Sequence, residues 1–326
     1  MRLEIVVPDW AEKLVSDLTD MDRAPLTVEP GEVIVYELPD DVYFEYAFVD
    51  DKGKLAPDPA VAERATSIWY GEVTAVRGPT YRHTELIAPP AMQLAPTDRL
   101  RLESAALGGQ MRRVSVYTPR GVQSEPLPLV VVQDGVAAYR AGKVQQVAQA
   151  LFDAGEARPA RLAFLEPVDR LVEYSFNDTY QDFMHDELVP HLAQAYPHDG
   201  TLVWLGFSLG ALASAQAALR MAEHGSATNI VLGFSGAFKG APQDPDPYTA
   251  ARSWLLERVH DEGTALPDGW YLEVGSLEWL LDVNRSLAAA LEERGADVSL
   301  RERSAGHNWT SWRNGLPDAL RFALGR

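Results

Sequence analysis

The chain has 326 residues, 46% hydrophobic and 23% charged, which excludes disordered and collagen-like classes and allows one large core or two domains. It contains no cysteine, so disulfides, thiolate nucleophiles and cysteine-based metal sites are excluded, and covalent chemistry must use an oxygen or nitrogen nucleophile. A formal charge of -18 disfavours nucleic acid and anionic membrane surfaces as partners, since both recruit clustered Lys and Arg.

In chain order, the start, Met1-Arg2-Leu3-Glu4-Ile5, is too acidic and too short in apolar residues for a secretory signal, and no stretch approaches the roughly 18 apolar residues of a membrane span. A cytoplasmic protein is expected. Short β-rich runs at 3–7, 33–38, 43–49 and 68–76, separated by Pro, Gly and Asp turns, predict a small antiparallel β-sandwich, with only a turn around 11–18. The proline-rich stretch 87–96 reads as an extended linker and places a domain boundary near residue 90, giving a sandwich over 1–90 and a second domain over 91–326.

Beyond the linker, runs at 100–104 and 113–117 flank Gly108-Gly109 and predict a hairpin. Strands are then expected at 127–133, 161–165, 201–205, 229–234, 270–274 and 298–303, and helices at 143–154, 178–196, 209–223, 249–259, 277–294 and 309–324. This alternation predicts an α/β fold with a mostly parallel eight-stranded sheet covered on both faces, in the α/β-hydrolase order.

Gly206-Phe207-Ser208-Leu209-Gly210 lies between an apolar strand and an alanine-rich helix, the strand-turn-helix setting in which G-x-S-x-G is a nucleophile elbow. Ser208 is the candidate nucleophile. Of seven histidines, His83, His185, His191, His198, His224 and His260 read as surface or packing residues, whereas His307 lies between the last strand and the last helix, where a loop can deliver a general base. The acid is expected after the seventh strand. Glu278 is the first choice and Asp282 the alternative, with a Ser-His dyad also open; Glu273 falls inside the strand. Backbone N–H groups of Leu209 and, after Asp134-Gly135, of Val136 are the candidate oxyanion donors.

Several segments together resemble an esterase family that includes the enterochelin (enterobactin) esterases and the S-formylglutathione hydrolases. They are Val114-Ser-Val-Tyr-Thr-Pro119, Leu129-Val-Val-Val-Gln-Asp-Gly135, Arg170-Leu-Val-Glu173-Tyr174 with Asn177, Glu187-Leu-Val-Pro190, the serine pentapeptide, Asn284-Arg285, and Gly306-His307-Asn-Trp309 with Trp312-Arg313. The Arg-x-x-Glu-Tyr and Gly-His-x-Trp-x-x-Trp-Arg segments look most like the enterochelin-esterase branch. Tyr43-Phe-Glu-Tyr-Ala-Phe-Val-Asp50 with Asp58-Pro59 is similar to the amino-terminal sandwich of that branch, although Met21 stands where it often has an aromatic.

The resemblance implies hydrolysis of a small-molecule ester through an acyl-enzyme, with no metal or organic cofactor and no nucleic-acid or membrane partner. The substrate it implies first is an enterochelin-type trilactone, a siderophore that carries iron. Short acyl, feruloyl or acetyl-sugar esters are the alternative, and a catalytically silent hydrolase-fold binding protein is the alternative from another class. Arg170 is expected to face the substrate, with Glu173 or Tyr174 beside it, or else to form a structural ion pair; Trp309 and Trp312 either line the pocket or pack in the core. The sandwich is either a structural module or part of the active-site mouth. No feature of the sequence specifies an oligomer.

Overall fold

The structure is a computed structural model and describes residues 1–21, 23–67, 70–225, 228–244 and 252–325. Its amino-terminal part is built around β5 (Tyr43–Val49), whose aromatic and β-branched residues suit a strand buried on both faces. Around it lie β1 (Arg2–Val6), β2 (Lys13–Ser16), β3 (Leu26–Thr27), β4 (Val33–Glu37), β6 (Leu55–Ala56), β7 (Arg64–Ser67) and β8 (Gly71–Arg77). β1 pairs only with β4, while β3-β2-β5-β8-β7 form a second antiparallel sheet with β6 on β5. Ile5, Ile34, Leu38, Phe44 and Phe48 fill the core between the two sheets.

The turn expected at 11–18 is instead β2 followed by a 3-10 turn, Asp17–Thr19, which Ser16 caps. Four residues are too short a run to show a period of two, and burial of Leu14 and Val15 fixes them in the sheet. The strand expected at 68–76 begins at Gly71 among the described residues; 68 and 69 lie outside them.

The sheet of the carboxyl-terminal part has, among the described residues, eight strands: β9 (Thr97–Ser104), β10 (Gln110–Tyr117), β11 (Leu127–Val132), β12 (Arg161–Leu165), β13 (His198–Phe207), β14 (Asn229–Phe234), β15 (Gly269–Gly275) and β16 (Asp297–Arg303). Their spatial order is β16-β15-β14-β13-β11-β12-β10-β9. Only the β9–β10 and β10–β12 pairs are antiparallel. Every residue of β11, β12 and β15 is buried, as a parallel sheet with helices on both faces requires.

The helices are α1 (Gly135–Arg140), α2 (Val144–Asp153), α3 (Arg170–Tyr174), α4 (Asp178–Asp182), α5 (Val189–Ala195), α6 (Leu209–Glu223), α7 (Trp254–His260), α8 (Leu281–Glu293) and α9 (Trp309–Leu324). A π-turn, Phe183–Leu188, joins α4 to α5, so the long helix expected there is one helical run. The helix expected at 249–259 is described from Trp254 onward; 249–251 lie outside the described residues. None of the described helices is long and apolar enough to cross a membrane.

The amino-terminal sheet grips the loop that follows β16. Tyr43 N–H donates to the Ser304 carbonyl at 2.8 Å, and Asp17 Oδ2 accepts the Glu45 N–H at 2.7 Å. Gly306 packs so closely on Asp17 that a Cβ there would lie 2.1 Å from its carboxyl carbon. Burial first, and Glu45 second, raise the Asp17 carboxyl well above the ordinary carboxylate range, while burial holds Glu45 up at about 7 from an ordinary 4.5. A carboxyl whose folded pKa is raised contributes its full stability below the unfolded value near 4.5 and loses it as the pH rises through about 7. The Glu45→Gln protein should therefore gain on wild type, by roughly 2 kcal/mol, when denaturant midpoints at about pH 5 and about pH 8 are compared. Parallel pH dependence in the two proteins would show that the pair does not titrate.

Candidate active site

β13 runs out of the sheet into Ser208, which is the residue before α6 and has φ 55° and ψ -122°. Such a backbone costs a non-glycine residue about 1–3 kcal/mol and persists only where its surroundings fix it. Here Ser208 N–H donates to the Phe234 carbonyl at 2.8 Å, and the Ser208 carbonyl accepts from Ala211 at 3.0 Å and Ala237 at 3.1 Å. Gly206 is required by contact, and Gly210 sits in a tight one. A Cβ at 206 would lie 2.1 Å from the Gly210 carbonyl oxygen, and one at 210 would lie 3.0 Å from Asp134 Oδ2. Ser208 is 5% exposed.

His307 follows β16, its ring between Trp279 at 4.7 Å and Trp312 at 4.9 Å. Its Nδ1 lies 2.6 Å from Glu278 Oε2. A proton on Nδ1 completes that bond and leaves Nε2 of the neutral ring as the basic nitrogen. The Glu278 carboxylate is buried, and its other oxygen is also engaged: Oε1 accepts from the Ser235 hydroxyl at 2.6 Å and from Gly275 N–H at 2.8 Å. Ser235 in turn accepts from Trp312 Nε1 at 2.7 Å. Asp282 is exposed in the first turn of α8, and Glu273 is buried in β15 between Tyr271 and Arg303.

Leu209 is the first residue of α6. Val136 N–H donates to Glu166 Oε2 at 2.7 Å, so that amide already holds an anion. Burial raises the Glu166 carboxyl above its ordinary value, and the Val136 bond partly opposes this. Arg170 does not stand alone. Its Nε and Nη2 form a fork on Asp134 at 2.7 and 2.9 Å, and Nη2 also donates to the Phe207 carbonyl at 3.2 Å, tying the Asp134 loop to the residue before Ser208.

Glu173, Tyr174, Trp309 and Trp312, the other residues considered for substrate contact, are all buried, and Trp309 also lines a small cleft with His307. Glu173 is 6% exposed and accepts two bonds from the buried Arg112, at 2.6 and 2.8 Å, because a guanidinium removed from water needs a carboxylate. Tyr174 is fully buried, its hydroxyl accepting the Asp134 N–H at 2.9 Å. Trp309 and Trp312 pack on Phe207 at 4.7 and 5.4 Å, on the inner side of α9. Ser235 and Glu166 were absent from the sequence reading, since each is tied to the site by a contact distant in sequence rather than by a motif.

A model of the putative esterase family matches residues 104–323. The chain belongs to the putative esterase family. It is accordingly a carboxylic ester hydrolase. No curated protein sequence matches it. Among solved structures, the ferric enterobactin esterase of Salmonella typhimurium superposes with a TM-score of 0.78 at 19% identity, covering 99% of this chain and 92% of that one. The enterobactin esterase of Shigella flexneri, solved in the presence of 2,3-dihydroxy-N-benzoyl-serine, gives 0.74 at 20%, covering 98% and 91%. A ferulic acid esterase gives 0.58 at 19%, covering 70% of this chain and 97% of that one. These likenesses show a shared α/β-hydrolase fold, and in the two enterobactin esterases the likeness extends over the amino-terminal antiparallel sheets as well.

Removing Glu173 from its buried pair strands the Arg112 charge. Glu173→Ala is therefore expected to lose about 3–5 kcal/mol of unfolding free energy in denaturant titration, with KM for a simple ester unchanged wherever the protein is folded. A raised KM with normal stability would return Glu173 to the substrate.

Proposed function

We propose that this esterase works through Ser208, His307 and Glu278, and that its substrate is a siderophore trilactone of the enterochelin type. The observation that carries the reading is the Glu278–His307 contact of 2.6 Å, with the other Glu278 oxygen fixed by Ser235 and Gly275. Held this way, His307 accepts the Ser208 proton as the hydroxyl attacks the ester carbonyl, and Glu278 stabilises the imidazolium that forms. The tetrahedral oxyanion rests on the N–H of Leu209 and, once Glu166 releases it, on that of Val136. Protonated His307 then delivers the proton to the leaving alcohol, and water repeats the cycle on the acyl-enzyme.

The trilactone reading is supported by coverage. The enterobactin esterases match 98–99% of this chain and the ferulic acid esterase 70%. In this reading residues 1–90 are a unit that shapes the mouth of the site, supported by Met21, Ser67 and Tyr70, which share a small cleft with His307. The substrate is tested by comparing iron-loaded and iron-free trilactone with p-nitrophenyl and feruloyl esters. The expected kcat/KM favours a trilactone by at least about tenfold, about 1.4 kcal/mol of transition-state binding. Turnover of the simple or feruloyl esters with no turnover of either trilactone form contradicts the substrate assignment.

Within the same assay, Glu278→Ala should lower kcat/KM by about 10²–10⁴-fold while Asp282→Ala stays within about twofold. The reverse ranking would move the acid to α8. Glu166→Ala frees the Val136 N–H and should raise kcat on a simple ester severalfold; an unchanged kcat would take Val136 out of the oxyanion hole.

A further inference from the structure

β9 and β10 pair so that Arg101 stands opposite Arg113 and Arg99 opposite Ser115, which puts three guanidinium groups on one face of the sheet edge. Like charges directly opposite each other destabilise an antiparallel pair. From α1, Arg140 joins them, and the four exposed arginines line a groove of about 660 Å³. This is the size of a small-molecule site. Among the described residues none of the four is in an ion pair within 4.0 Å, in a chain with 47 acidic and 29 basic residues, whereas Arg112, Arg170, Arg252, Arg285 and Arg303 each hold a carboxylate.

The acid in the groove is Glu166, and its Oε2 is engaged by Val136 N–H. Asp98 bonds Tyr196, and Glu103 lies at the hairpin end beside Gly109. The wall toward the core is aromatic, with Tyr139 edge-on to Phe164 at 5.3 Å. The groove therefore combines an arginine rim, suited to two-pronged recognition of carboxylate or phosphate, with an apolar wall. It runs up to Gly135 and Val136 at the start of α1, where the proposed oxyanion donor lies.

We propose that this groove binds the carboxylate or phosphate of a small organic anion with an apolar body, and that, resting on the esterase chemistry above and not on the trilactone assignment, esters carrying such an anion are a second substrate class. The first test is calorimetric titration of the full chain at low salt with phenyl phosphate and with phenylacetate, and with benzyl alcohol as the neutral control. At least one anion should bind, more weakly as salt rises, and binding should fall tenfold or more in the Arg101→Gln/Arg113→Gln protein, which should melt no lower than wild type because a like-charge pair is removed. The two anions separate a phosphate site from a carboxylate site. No binding of either, or equal binding by the folded variant, overturns the proposal.

The second test compares p-nitrophenyl hemisuccinate with p-nitrophenyl butyrate. The variant should lose rate on the hemisuccinate and keep it on the butyrate. An anion that binds through these arginines without changing that ratio would overturn the substrate role and leave a separate anion site. If wild type turns over a trilactone but neither p-nitrophenyl ester, the substrate role is overturned and the groove is judged on the titration alone; if it turns over none of these esters, the proposed function fails with it.

Discussion

The organisation of the site depends on one buried carboxylate. Glu278 is buried, its side chain 1% exposed, so both of its oxygens need partners in the protein, and they have them: one in Ser235 and Gly275, the other in His307. Those partners come from the ends of β14, β15 and β16, and Trp312 of α9 completes the set through Ser235. A carboxylate with both oxygens fixed holds the imidazole in one orientation. The close packing around it leaves little freedom: a Cβ at Gly275 would lie 2.2 Å from the Ala305 carbonyl oxygen and 2.7 Å from Glu278 Oε1.

The amino-terminal sheets extend this fixation to the histidine loop from behind. Tyr43 bonds Ser304, Asp17 fills the space that a side chain at Gly306 would need, and Asn308 Nδ2 lies 3.4 Å from Asp17 Oδ2. The loop is thus held between Glu278 on one side and the Asp17–Glu45 pair on the other. On the Ser208 side the corresponding tie is Arg170, whose fork on Asp134 and bond to Phe207 join the loop after β11 to the strand that leads into Ser208.

What could be read from the sequence follows from how far each constraint reaches along the chain. The elbow is local: Gly206 meets Gly210 four residues away, so the pentapeptide announces its own backbone. Strands buried on both faces leave continuous apolar runs, and β11 through β15 were visible for that reason. Ser235 meets Glu278 across 43 residues and Arg112 meets Glu173 across 61, and neither separation leaves a spacing to recognise. The burial of Glu173, Tyr174, Trp309 and Trp312 was not legible for a related reason. A motif does not distinguish a residue that touches a ligand from one that supports the loop beside it, and burial, which does, is a property of the fold.

The arrangement around Glu278 has meaning for catalysis only if Ser208 is nucleophilic in the folded protein. The most direct measurement is reaction of the intact chain with a fluorophosphonate, followed by peptide mapping of the adduct by mass spectrometry. A single phosphonyl group on Ser208, forming in native protein and not after denaturation, is the predicted result. A folded chain that stays unmodified, or one labelled at a different residue, would contradict the account.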